Sequence, residues 1–61
     1  MDNVEQLYVI WDRPYEAPQE ALGYFTLAEA GELLRKPDAE IAWHVEHDGF
    51  YETDRYRCEE A

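Results

Sequence analysis

The sequence predicts an α+β domain: a three-stranded, mainly antiparallel sheet with one helix packed on one face, in the order strand, helix, strand, strand. Three observations predict it. An apolar, β-branched run fills residues 5–12, a capped helical stripe fills residues 26–36, and an alternating pattern runs through residues 40–57 around Asp48-Gly49. The 61 residues make one small acidic domain, and a domain of this size buries only about 60% of its unfolded surface. Its aromatic side chains, each with a large area to bury, have to supply much of the core.

The first element, "EQLYVIWD", places Leu7, Val9 and Trp11 on one face and Tyr8 and Ile10 on the other. Two apolar faces predict a central strand, or one covered on both sides. Pro14 ends it. Residues 13–23, "RPYEAPQEALG", read as a loop or short turn of helix, stiffened by Pro14 and Pro18 and closed by Gly23.

The segment "FTLAEAGELLRKP" carries the clearest local signals. Thr26 and Glu29 form the T-x-x-E of a capping box, with Phe25 and Ala30 as the hydrophobic staple. Leu27, Ala30, Leu33 and Leu34 make a core-facing stripe, Arg35 and Lys36 complement the C-terminal end of the dipole, and Pro37 stops the helix. Gly31 costs about 1 kcal/mol against alanine in a helix, and it marks close approach to a bulky aromatic.

The last segment, "AWHVEHDGFYETDRYR", reads as a hairpin. A two-residue Asp48-Gly49 turn would set Val45 opposite Glu52 and Trp43 opposite Asp54, forcing carboxylates against the apolar face at high cost. A three-residue loop with Gly49 in a left-handed conformation slips the register by one. It pairs Val45 with Tyr51, Trp43 with Thr53 and Ile41 with Arg55, and this register is preferred, because a one-residue slip turns every side chain over. The predicted core is Trp11, Trp43, Leu33, Leu34, Val9 and Ile41; the tail "CEEA" is expected to fray.

Charge is the main functional signal. Fifteen acids face five bases, a formal charge of −10. Such a chain is a poor ligand for nucleic acid or an anionic membrane, which need Lys and Arg, and its natural partner is basic. No apolar run has the length of a membrane span. The opening "MDNVEQ" is acidic where a signal peptide needs a basic region, and the single Cys58 has no intramolecular partner, as suits a reducing compartment. These features predict a cytoplasmic protein.

Chemistry-bearing motifs are sparse. His44 and His47 with Cys58 do not complete a tetrahedral metal pattern, and on a strand the two imidazoles point to opposite faces. Glu52 and Asp54 form no acid–base pair with a pocket to work in. Neither a nucleophile–base pair nor a phosphate-binding glycine loop is visible. No metal, no cofactor and no enzyme activity are expected. In the preferred register Glu40, Glu46, Asp48, Glu52 and Asp54 collect on one ribbon, where same-face residues lie about 6.6–6.8 Å apart. That row of charge approximates a phosphate backbone, and carboxylates accept arginine forks as phosphates do. These five are the candidate partner-binding residues.

A tiny, strongly acidic chain carrying "EIAWHVEHDGFYETD" resembles the DNA-mimic inhibitors of phages and mobile elements, anti-CRISPR proteins foremost. The resemblance implies a non-enzymatic inhibitor that occupies the basic nucleic-acid-binding surface of a partner, such as a CRISPR effector subunit where it reads DNA or the PAM. Two rival readings are a small protein-binding module, such as an antitoxin or regulator that relies on aromatic hot spots, and an acidic accessory protein that is a monomer or weak homodimer.

Overall fold

The computed structural model describes residues 6–61. It has two layers: a four-stranded antiparallel sheet and two helices. The elements are β1 (Leu7–Asp12), β2 (Glu20–Thr26), α1 (Leu27–Leu34), α2 (Asp38–Asp48), β3 (Phe50–Glu52) and β4 (Tyr56–Glu60). The strand order is β2-β1-β4-β3. The α+β class and the antiparallel sheet stand as expected; the sheet has one strand more than expected, and there is a second helix.

β1 is an inner strand, as its two apolar faces require, although Glu5 of the expected strand and the acid Asp2 lie outside the described residues. Tyr8 and Ile10 point toward the helices and are buried. Leu7, Val9 and Trp11 point the other way, where no described element covers them. Residues 20–26 form β2, where a loop or short turn of helix is expected up to Gly23. Ile10 pairs with Gly23 and Trp11 with Ala21, so Leu22 is the extra residue of a bulge. The bulge breaks the alternation that would have revealed the strand, and Gly23 accommodates it with a φ of 130°.

α1 begins where the capping box placed it. The Glu29 N–H donates to Thr26 Oγ1 at 3.2 Å and the Thr26 N–H to Glu29 Oε1 at 2.9 Å. It ends at Leu34, two residues before the expected end, because Arg35 turns left-handed (φ 59°). The Lys36 N–H then closes on the Gly31 carbonyl at 3.1 Å. The close approach at Gly31 comes from the Asp38 carboxylate and the Lys36 carbonyl, and not from an aromatic ring.

The largest correction is at residues 38–48, a helix where the first strand of the hairpin was expected. Pro37 in extended conformation precedes it, Asp38 and Glu40 occupy its first turn, and Gly49 (φ 92°) closes it with its N–H on the Val45 carbonyl. Ile41 and Val45 are buried and Trp43 between them is 53% exposed. The spacing of four therefore governs, and the apparent alternation Ile41-Trp43-Val45 does not. Asp48-Gly49 is a helix terminus and not a hairpin turn, so the pairings Val45–Tyr51, Trp43–Thr53 and Ile41–Arg55 do not exist.

The actual hairpin joins β3 to β4 through residues 53–55, pairing Tyr51 with Cys58 and Glu52 with Arg57. Thr53 builds its turn: its N–H donates to the Tyr56 carbonyl at 2.8 Å and its Oγ1 accepts from the Tyr56 N–H at 3.0 Å. The tail does not fray. β4 lies between β1 and β3, Cys58 is fully buried, and the Ala61 N–H reaches the Leu7 carbonyl at 3.0 Å. The core is Tyr8, Ile10, Ala30, Leu34, Ile41, Val45, Tyr51 and Cys58, flanked by Phe25, Leu27, Leu33 and Tyr56. Of the expected core, Leu34 and Ile41 are central, Leu33 is peripheral, and Val9, Trp11 and Trp43 lie elsewhere.

Candidate protein-binding surface

The five candidate acids do not share a ribbon. Glu40, Glu46 and Asp48 belong to α2, Glu52 to β3, and Asp54 to the turn after it. On a helix, Glu40 and Asp48 lie roughly 12 Å apart along one flank, while Glu46 is turned about 120° from Glu40. The loss of the hairpin removes the convergence that it had implied.

Each acid has its own environment. Glu40 accepts a hydrogen bond from the Tyr51 hydroxyl at 2.5 Å. Burial first, then that bond and the nearby negative charge, push the Tyr51 hydroxyl up to about 12. Asp48 accepts from His44 Nδ1 at 2.9 Å, one turn back. Glu52 is clamped by Arg57 Nη1 at 2.8 Å and approached by Arg13 Nη1 at 3.5 Å. Asp54 is exposed and forms no ion pair among the described residues. Glu46 borders a cavity of about 250 Å³ with Tyr8, Ala42, Val45 and Glu60.

The cations are distributed unevenly. Arg55 grips Asp12 with bonds of 2.6 and 3.0 Å, and this pairing holds the Asp12 carboxyl below its usual range. Arg57 bridges Glu59 at 2.7 Å and Glu52. Three of the five bases thus serve the strands and their connections, while α2 carries Asp38, Glu40, Glu46 and Asp48 with no lysine or arginine.

One residue of this surface was misassigned by the sequence reading. Trp43 stands exposed in the middle of α2, stacked on His47 with ring centroids 4.2 Å apart and planes 17° apart. His44 meets Trp43 edge-on at 5.0 Å. His47 Nδ1–H donates to the Trp43 carbonyl at 2.8 Å, which fixes the ring under the indole. The helix brings the two imidazoles to one flank, where a strand would have separated them. The spacing of four between Trp43 and His47 is the signal that marks this pair, once the segment is read with a helical period.

The remaining reactive groups are committed. Both histidine Nδ1 atoms face acceptors, and no three His, Cys, Asp or Glu side chains among the described residues are grouped to hold a metal. Cys58 is buried, and burial together with Glu59 pushes its thiol up to about 11. A wider cleft of about 720 Å³ lies between the end of α1 and the β3–β4 turn, lined by both signs of charge, including Lys36, Arg55, Glu32 and Asp54. No described helix is long and apolar enough to cross a membrane. No family model, no curated protein and no solved structure matches this chain.

Proposed function

We propose that this protein is a non-enzymatic binder that docks helix α2 on the basic surface of a partner protein. The observation that carries this reading is the make-up of α2: four carboxylates, no lysine or arginine, and an indole more than half exposed at its centre. Tryptophan is the side chain most often found to anchor protein interfaces, and a tryptophan flanked by Glu40 and Glu46, each three residues away on the helix, suits a pocket edged by arginines and lysines. Asp38, Glu40, Glu46 and Asp48 supply the charge and Trp43 the anchor. Glu52, whose charge Arg57 and Arg13 already offset, contributes little. Asp54 extends the acidic surface beyond the helix.

The partner class is a nucleic-acid-binding protein. Surfaces that hold nucleic acid offer arginine forks and lysines spaced for phosphates, and carboxylates satisfy the same donors. An acidic helix seated there excludes DNA or RNA, as DNA-mimic inhibitors do; a CRISPR effector in the host cytoplasm is one target of this kind. The two threonine hydroxyls support the non-enzymatic reading, since Thr26 caps α1 and Thr53 closes a turn. The buried Cys58 supports it as well.

The test is capture of the partner from a bacterial lysate with the tagged chain, followed by titration of the purified pair. Trp43→Ala is expected to cost at least about 2 kcal/mol of affinity. Glu46→Lys and Asp48→Lys should each weaken binding, rising salt should weaken it further, and DNA should compete. Equal affinity for all variants, with no competition by DNA, would discard the reading.

A further inference from the structure

We propose that the face of the sheet that no described element covers is an interface between two copies of this chain. The pairing registers place Leu7, Val9 and Trp11 of β1, Tyr24 of β2 and Phe50 of β3 on the face opposite the helices. Tyr24 stands directly beside Val9, and Val9, Glu59 and Phe50 follow in one row across the sheet. Tyr24 is 69% exposed and Leu7 41%. Single exposed apolar residues need no explanation, but a contiguous aromatic patch on a monomer does.

Three features select a second copy as the occupant. The first is charge. Arg57 lies on this face with Glu52 and Glu59, its guanidinium 4.2 Å from the centre of the Phe50 ring, and Arg13 closes on Glu52 from the side. Among the described residues two arginines offset two glutamates there, so their charges balance locally in a chain of −10. The basic partner suited to α2 gains nothing here, whereas two copies meet with these glutamates already paired and keep the acids of α2 turned outward. The second is the state of the edges. The bulge at Leu22 twists β2 out of pairing geometry, and the other edge, β3, has only three residues, so addition of strands edge to edge is blocked and face-to-face packing remains open. The third is packing geometry. Two such sheets packed face to face about 10 Å apart form an ordinary sandwich core. The dimer then gives β1 the cover on its second face that its sequence calls for.

The experiment is sedimentation velocity on the full chain, from about 1 µM to about 1 mM, a range that spans weak to moderate dimers. The mass is expected to climb from 7.3 kDa toward twice that value, and raising the salt should not weaken the dimer. Tyr24→Lys, a change at an exposed position, should raise the dimer Kd at least about tenfold; Leu7→Lys is the second variant on the same face. Trp43→Lys, on the far side of the molecule, should leave the curve unchanged, which separates this interface from docking by α2. In a Trp43→Phe background all indole emission comes from Trp11, and it should move to shorter wavelength with the same concentration midpoint. A mass that stays at 7.3 kDa throughout overturns the proposal. So does a dimer that Tyr24→Lys and Leu7→Lys leave intact.

Discussion

A methyl group at Gly31 would meet the carboxylate of Asp38 and stand 3.1 Å from the Lys36 carbonyl. Helix propensity alone would make Gly31→Ala stabilising by about 1 kcal/mol. The crowding reverses that sign, and we expect a net loss of about 1 kcal/mol. In an Asp38→Ala background the loss should shrink, and a double-mutant cycle by urea denaturation measures the coupling. Tyr51 offers a second test at this scale. Its hydroxyl sits at about 12 in the fold against 10.0 in an ordinary tyrosine. The folded state thus favours the neutral phenol: this contribution to stability is complete below pH 10 and is lost as pH rises toward 12. Tyrosinate absorbance and circular dichroism should show alkaline unfolding in that window. Tyr51→Phe should flatten it, at a cost near neutrality of roughly 1 kcal/mol for the lost hydrogen bond.

At the scale of elements, the two helices differ in how they are specified. α1 is written in local chemistry, and Thr26→Ala should remove the capping bond and cost about 1 kcal/mol, seen as a melting temperature several degrees lower in so small a domain. A thermal melt that does not move would mean that the cap is not holding the helix. α1 and β1 were legible because cap, staple, stripe and β-branched run are all local. α2 was not, because positions 41 and 45 satisfy a period of two and a spacing of four equally well over so short a span. Only the fate of Trp43 separates the two, and that depends on tertiary packing. Gly49 compounds the ambiguity, since a glycine with positive φ serves a hairpin loop and a helix end alike. β2 was hidden by its bulge. For the candidate surface, the identities of the acids and their lack of lysine neighbours were legible. Their convergence was not, because it was inferred from a pairing register that the chain does not adopt.

Over the whole molecule, the arginine pairs are at least partly exposed and each contributes little, while the uncompensated acids repel one another across a body 19 Å thick. Between about 10 mM and about 0.15 M salt the screening length falls from about 30 Å to about 8 Å. Relief of repulsion in a chain of −10 should outweigh the weakened pairs, so the melting temperature should rise with salt; calorimetry at fixed protein concentration measures it. Cys58 reports on global opening in the same experiment. Fully buried on an inner strand, it should react with an aromatic disulfide reagent only as fast as the sheet opens.

β4 fills the slot between β1 and β3, yet it is made after every other element of the fold. During synthesis, β1, β2 and both helices emerge with the centre of the sheet missing. Ile10 waits for Cys58, its partner 48 positions later. The ribosome therefore has to release residues 56–60 from its exit tunnel before the layers can close. This order predicts that the domain closes late, by insertion of β4, and a nascent chain halted at residue 55 should remain sensitive to protease where one carrying a long C-terminal linker is resistant.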